Sequence, residues 1–186
     1  MTSRDVRPVT PQRWADMVEL FERRGPRGGH RNVPAYGCWC MWWRDRSLEH
    51  GTPKKRAMGR LVRAGLEPGL LAYEDGSPVG WVAVARREDY GVLLRSPQYR
   101  PRDDDEGVWS IVCFVVDREA QGRGVAGSLL DAAVEHACRN GATAVEAYAH
   151  RAKEDDYMGG LRLYLARGFE PVRETSKRAV VRRLCH

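Results

Sequence analysis

Residues 108–116, VWSIVCFVV, are apolar at every position but Ser110 and rich in β-branched and aromatic side chains, the composition of a strand covered on both faces. Such a strand should lie at the centre of a sheet. From Ala126 the apolar positions Leu129, Leu130, Ala133, Val134 and Ala137 recur at helical spacing until Asn140-Gly141 ends the run. ATAVEAYA (142–149) then reads as the next strand, parallel to the first through a right-handed crossover. Upstream, GLLAYE (69–74) and VGWVAVA (79–85) alternate as strands with one face on a core, and Asp75-Gly76-Ser77-Pro78 joins them as a hairpin.

The first third reads as helix and loop. TPQRWADMVELFERR (10–24) places Trp14, Met17, Val18 and Phe21 on one helical face, and PKKRAMGRLVRAG (53–65) reads as a short basic helix stopped by Gly65. Between them the Gly- and Pro-rich 25–37 predicts a loop, followed by the tryptophan-dense CWCMWWR (38–44). Residues 86–107 read as a polar connection whose acidic run, Asp103 to Glu106, is solvated loop. A helix near 158–167 and two strands, FEPVRE and RAVVRRL, complete an α/β mixed sheet of six to seven strands flanked by about four helices.

Composition narrows the setting. A chain of 186 residues with 42% apolar and 9% aromatic content suits one packed core. No stretch reaches the roughly 18 to 20 apolar residues of a membrane span and no export signal opens the chain, so the sequence reads as a soluble, cytoplasmic protein with no membrane partner. Five scattered cysteines then read as reduced thiols, and the C-x-C of Cys38 and Cys40 lacks the further ligands of a metal site. The net charge of +6 comes from arginine spread along the chain, which favours small polyanions over nucleic acid, for which there is no reading helix or basic stripe.

Gly122, Gly124 and Gly127 spell G-x-G-x-x-G, a dinucleotide-binding fingerprint, with Glu146 at about the distance of its ribose-binding acid. Two features oppose that reading. Five residues, Asp117 to Gln121, separate the strand from the first glycine, and too little chain follows to build a nicotinamide half-site. Read instead as Gln121-Gly122-Arg123-Gly124-Val125-Ala126, the segment is an anion nest. A short loop turns backbone N–H groups inward where a helix begins, and glycines let a diphosphate approach without a Cβ in the way. Arg118 and Arg123 can add charge or point to solvent.

VVDREAQGRGVAGSLL and, further on, LRLYLARGF (161–169) with its Tyr164, Gly168 and Phe169 resemble the two signatures of the GNAT superfamily of acyl-CoA N-acyltransferases, in the right order and one strand apart. The likeness covers about residues 70–184 well and the first third loosely. CWCMWWR, GWVAVARREDY and VWSIVCF further resemble a bacterial GNAT subgroup with no established substrate. One departure stands out: Tyr157-Met158-Gly159-Gly160 replaces the Asn and Ala that many members carry there.

The resemblance implies one GNAT domain over residues 1–186, with 1–66 on the acceptor side and the CoA site in 67–186. It implies acetyl-CoA as cosubstrate, no metal, and direct transfer to the primary amine of a small molecule or peptide; a homodimer is compatible. Phe114, Val115 and Val116 would bind the pantetheine arm and polarise the carbonyl, the loop Gln121 to Ala126 would hold the pyrophosphate, and Tyr164 would protonate the departing sulfur. Glu146 is the candidate base, with His150 as the alternative and Glu88 and Asp89 as candidate acceptor-binding acids, while Cys113 is better read as packing than as a nucleophile. Trp42, Trp43, Trp81 and Trp109, with His150, are expected to wall an apolar acceptor pocket. The competing reading is a non-catalytic acyl-CoA-binding module of the same fold.

Overall fold

The structure, a computed structural model, describes residues 4–23, 37–101, 106–153 and 157–185. Seven strands form one mixed sheet in the order β1-β2-β3-β4-β5-β7-β6. They are β1 (Asp5–Pro8), β2 (Gly69–Glu74), β3 (Ser77–Arg86), β4 (Val108–Val116), β5 (Ala144–His150), β6 (Glu170–Glu174) and β7 (Arg178–Leu184). Five α-helices lie among the described residues: α1 (Trp14–Glu22), α2 (Thr52–Arg63), α3 (Gly91–Arg95), α4 (Val125–Arg139) and α5 (Leu161–Leu165).

β4 is central, and it pairs parallel with β5 through the α4 crossover, as its composition requires. Each sheet face has its own core. One packs Trp39, Trp43, Trp81 and Tyr148 with Met17 and Phe21 of α1 and Met58 of α2; the other packs Ile111, Phe114 and Val145 with Leu129 and Ala133 of α4 and Tyr164 of α5. Gly80 lets α4 approach β3, since a Cβ there would lie 2.6 Å from Val125.

Several elements differ from the sequence pattern. Asp5–Pro8, too short and too polar to stand out, adds an antiparallel edge strand to β2, so the first third is not wholly helical. The 86–107 connection contains α3. The hairpin turn is only Asp75-Gly76, both at positive φ (48° and 78°), so Ser77 and Pro78 belong to the strand. β3 is buried on both faces rather than one, because helices cover the sheet on each side. A short 3-10 turn (Pro11–Arg13) precedes α1, and α5 is shorter than predicted. Most of the 25–37 loop and Asp103 to Asp105 lie outside the described residues.

The expectation of five reduced thiols fails. Cys138, near the end of α4, and Cys185, just after β7, form a disulfide with Cα atoms 5.4 Å apart, while Cys38, Cys40 and Cys113 remain free. Pairing of β7 with β5 makes this possible, carrying the chain end back so that the Cys185 amide bonds the Thr143 carbonyl at 3.0 Å. None of the described helices is long and apolar enough to cross a membrane.

Candidate active site

The site begins with a fault in the sheet. Ala83 pairs with Cys113 but Val84 with Ile111, leaving Val112 as an extra residue in β4. Such a bulge bends the strand and disrupts its ladder. On the other side, the parallel pairing of β4 with β5 stops at Ile111↔Ala147, although both strands continue. The β4 edge beyond the bulge therefore opens into a gap. Asp117 donates its N–H to Val79 on the β3 side at 2.9 Å, so strand alternation turns the N–H groups of Phe114 and Val116 into the gap. Val115 faces the opposite way and packs in the α1 side core.

The glycine loop stands at the end of that edge. Buried Asp117 caps a 3-10 turn (Arg118–Ala120) through the Glu119 amide and pairs with Arg23 at 3.0 Å, which accounts for the residues between strand and glycines. Gly122 and Gly124 both adopt positive φ (74° and 78°), and nothing lies within 4 Å of a Cβ built on either. Gly124 is the N-cap of α4 and supplies no capping side chain; the first bond of the helix runs from the Ser128 amide to the Gly124 carbonyl. The amides of Val125, Ala126 and Gly127 thus have no partner within the helix and present a partial positive charge. Gln121 and Arg123 are exposed, and Arg123 pairs with Glu74 at 3.0 Å, so main chain rather than guanidinium forms the nest.

Tyr164 lies fully buried across the gap from Phe114, with ring centroids 6.4 Å apart, and packs on Phe169. Its hydroxyl donates to the Met158 carbonyl at 2.7 Å. The segment Tyr157–Gly160 occupies the gap itself: the Phe114 amide donates to the Tyr157 carbonyl at 2.6 Å, and the His150 amide to the Gly159 carbonyl at 2.9 Å. Glycine at position 159 has a local cause. Gly159 takes φ 84°, and a Cβ on it would lie 2.9 Å from the Tyr164 ring.

Both candidate bases are held by hydrogen-bonding partners. Glu146 is buried with Oε1 held by Arg182 at 2.8 Å and Oε2 by Arg87 at 3.2 Å. Nδ1 of His150 accepts from the amides of Ala152 (3.1 Å) and Lys153 (3.0 Å), so a neutral ring carries its hydrogen on Nε2 and has no vacant acceptor. Glu88 and Asp89 sit in an exposed 3-10 turn beside Arg87. Tyr148, beside Glu146, bonds Ser110 at 2.9 Å, and burial pushes its phenol well above the usual range. Cys113 donates weakly to the Phe114 carbonyl at 3.7 Å, and its hydrogen bond to Cys40, with burial, holds the Cys40 thiol well up. These cysteines pack.

The tryptophans do not wall a common pocket. Trp81 is fully buried in the α1 side core, and Trp43 is buried there against Tyr99. Trp42 is partly exposed with the Arg46 guanidinium 4.6 Å from its ring, and Trp109 lies on the opposite face against His136. Sequence reasoning missed Arg87, Arg182 and the Tyr157 carbonyl; only the ladder register, with Glu146 opposite Arg182, brings the charges together. Among the described residues no group of three His, Cys, Asp or Glu side chains could hold a metal.

Comparison with known proteins gives a consistent picture. The family described as "Acetyltransferase (GNAT) family" matches residues 17–169. No curated protein matches. Among solved structures, the GNAT domain of S. lividans PAT is 18% identical with a TM-score of 0.61, covering 97% of this chain and 90% of its own. The PaiA N-acetyltransferase of Thermoplasma acidophilum, solved in complex with coenzyme A, is 14% identical with a TM-score of 0.57, covering 98% and 99%. YncA of Salmonella typhimurium, solved with its cofactor acetyl-CoA, is 15% identical with a TM-score of 0.59, covering 100% and 95%. Likeness at these identities speaks for the fold alone.

Proposed function

The chain belongs to the GNAT family of acetyltransferases, and on that premise we propose that it moves an acetyl group from acetyl-CoA to the primary amine of a small molecule or peptide, directly, in a ternary complex. One observation carries the reading: beyond Ile111 the β4 edge parts from β5 and runs to the uncapped N-terminus of α4 through Gly122 and Gly124. A pantetheine arm laid along that edge would bond the Val116 N–H and bring its thioester carbonyl to that of Phe114. Its pyrophosphate would then meet the amides of Val125, Ala126 and Gly127.

The neutral amine attacks the thioester carbonyl carbon, and the oxygen takes up the developing charge facing the Phe114 N–H. Collapse breaks the C–S bond, and Tyr164 gives its hydroxyl proton to the sulfur. The new amide's surplus proton leaves through water and restores the tyrosine. Glu146 and His150 are given no proton-accepting role: Glu146 is held as an ion-pair partner of two arginines, and the His150 Nδ1 is filled by two backbone amides.

Titration of acetyl-CoA by calorimetry, followed by a thiol-release assay over a panel of amines, tests the reading. Saturable binding with turnover of at least one amine is expected. Absence of binding to folded protein would overturn it.

A further inference from the structure

Tyr157–Gly160 runs between β4 and β5, bonded to Phe114 on one side and His150 on the other, with His150↔Gly160 as an isolated parallel bridge. It contacts both groups to which the reaction assigns a task. The Tyr157 carbonyl takes the Phe114 N–H, and the Met158 carbonyl takes the Tyr164 hydroxyl proton. A pantetheine arm is itself an amide chain, and one laid along β4 would take the segment's place and bring its thioester carbonyl to the same Phe114 donor.

We propose that Tyr157–Gly160 is an internal stand-in for the pantetheine arm, and that its withdrawal on CoA binding frees the oxyanion donor and the acid together. The inference rests on the proposed acetyl-CoA reaction and adds a coupling to it. One N–H cannot serve two carbonyls at full strength, so arm and segment compete. Because consecutive carbonyls hold Phe114 and Tyr164, a single shift of the segment releases both. Gly159 lets the segment sit beneath the Tyr164 ring, where a Cβ would collide. Tyr157, Met158 and Gly159 are thus positioning residues that act through Phe114 and Tyr164. The competition also lowers apparent CoA affinity by the fraction of molecules in which the segment is in place.

The test is the through-bond NMR coupling between the Phe114 amide nitrogen and the Tyr157 carbonyl carbon, with and without saturating desulfo-CoA, which lacks the sulfur that would touch Tyr164. The coupling should be present without the ligand and vanish with it. Tyr164→Phe, which removes the anchor on Met158, should bind desulfo-CoA about five-fold more tightly, the equilibrium equivalent of one neutral hydrogen bond, while its acetyl transfer falls. A coupling that survives in the saturated complex, or an affinity unchanged or weakened in Tyr164→Phe, overturns the inference and leaves the acetyl-CoA reading standing. Failure of CoA to bind the parent protein overturns that reading instead.

Discussion

Glu146 on β5 and Arg182 on β7 stand directly opposite in the antiparallel ladder and close a 2.8 Å ion pair, with Arg87 completing the clamp from the other side. All three side chains are largely buried, so removing the carboxylate takes away the charge that both guanidinium groups share. Glu146→Gln should cost about 3 kcal/mol of stability, which for a chain of this size lowers the melting temperature by roughly 6–12 °C. Calorimetric melting together with steady-state kinetics checks this. A hundred-fold loss of kcat with no change in melting temperature would instead make Glu146 a catalytic base.

With neither Glu146 nor His150 taking the amine's proton, the pH dependence should belong to the acceptor. Only the neutral amine attacks, so kcat/KM should rise about tenfold per pH unit and level off at the acceptor's own ammonium pKa. For an α-amine that lies near 8 and for a lysine-like amine near 10.4. Profiles for two acceptors of different basicity should therefore be displaced by the difference between their pKa values. A common inflection with both would reveal a titrating protein base.

Gly124 combines a left-handed backbone with open space around a would-be Cβ, so the strain of a side chain there comes from the backbone alone. Gly124→Ala should cost about 1–2 kcal/mol and twist the first amides of α4 off the phosphate. The expected readout is a melting temperature lower by a few degrees with CoA affinity reduced at least tenfold. Full affinity in the variant would mean that the pyrophosphate is held elsewhere.

The parts of the fold legible in sequence were those where local pattern and global burial agree. VWSIVCFVV announced the central strand, the Leu129 to Ala137 spacing announced α4, and the glycines marked the nest because they need positive φ where the helix begins. What escaped depends on long-range register. Asp5–Pro8 is a strand only because β2 offers it an edge, and Glu146 is an ion-pair partner only because Arg87 and Arg182 arrive from segments 59 and 36 residues away. The tryptophans misled for a related reason: indoles adjacent in sequence are divided between core and surface, and Trp109 lies beyond the sheet.

The Cys138–Cys185 bond ties the end of α4 to the residue after the last strand across a separation of 47 residues. Closing a loop of that length restricts the unfolded chain by about 4 kcal/mol on the chain-entropy estimate, and typical bonds deliver about 2–4 kcal/mol. β7 also carries Arg182, so loosening this corner should weaken the hold on Glu146 while leaving the nest at the opposite end of α4 in place. Cys185→Ala should therefore melt about 5–10 °C lower than the parent under oxidising conditions, with CoA affinity unchanged. In excess dithiothreitol the two proteins should melt together, because the parent then loses the same constraint. Equal melting in both conditions would show that the bond contributes nothing to stability.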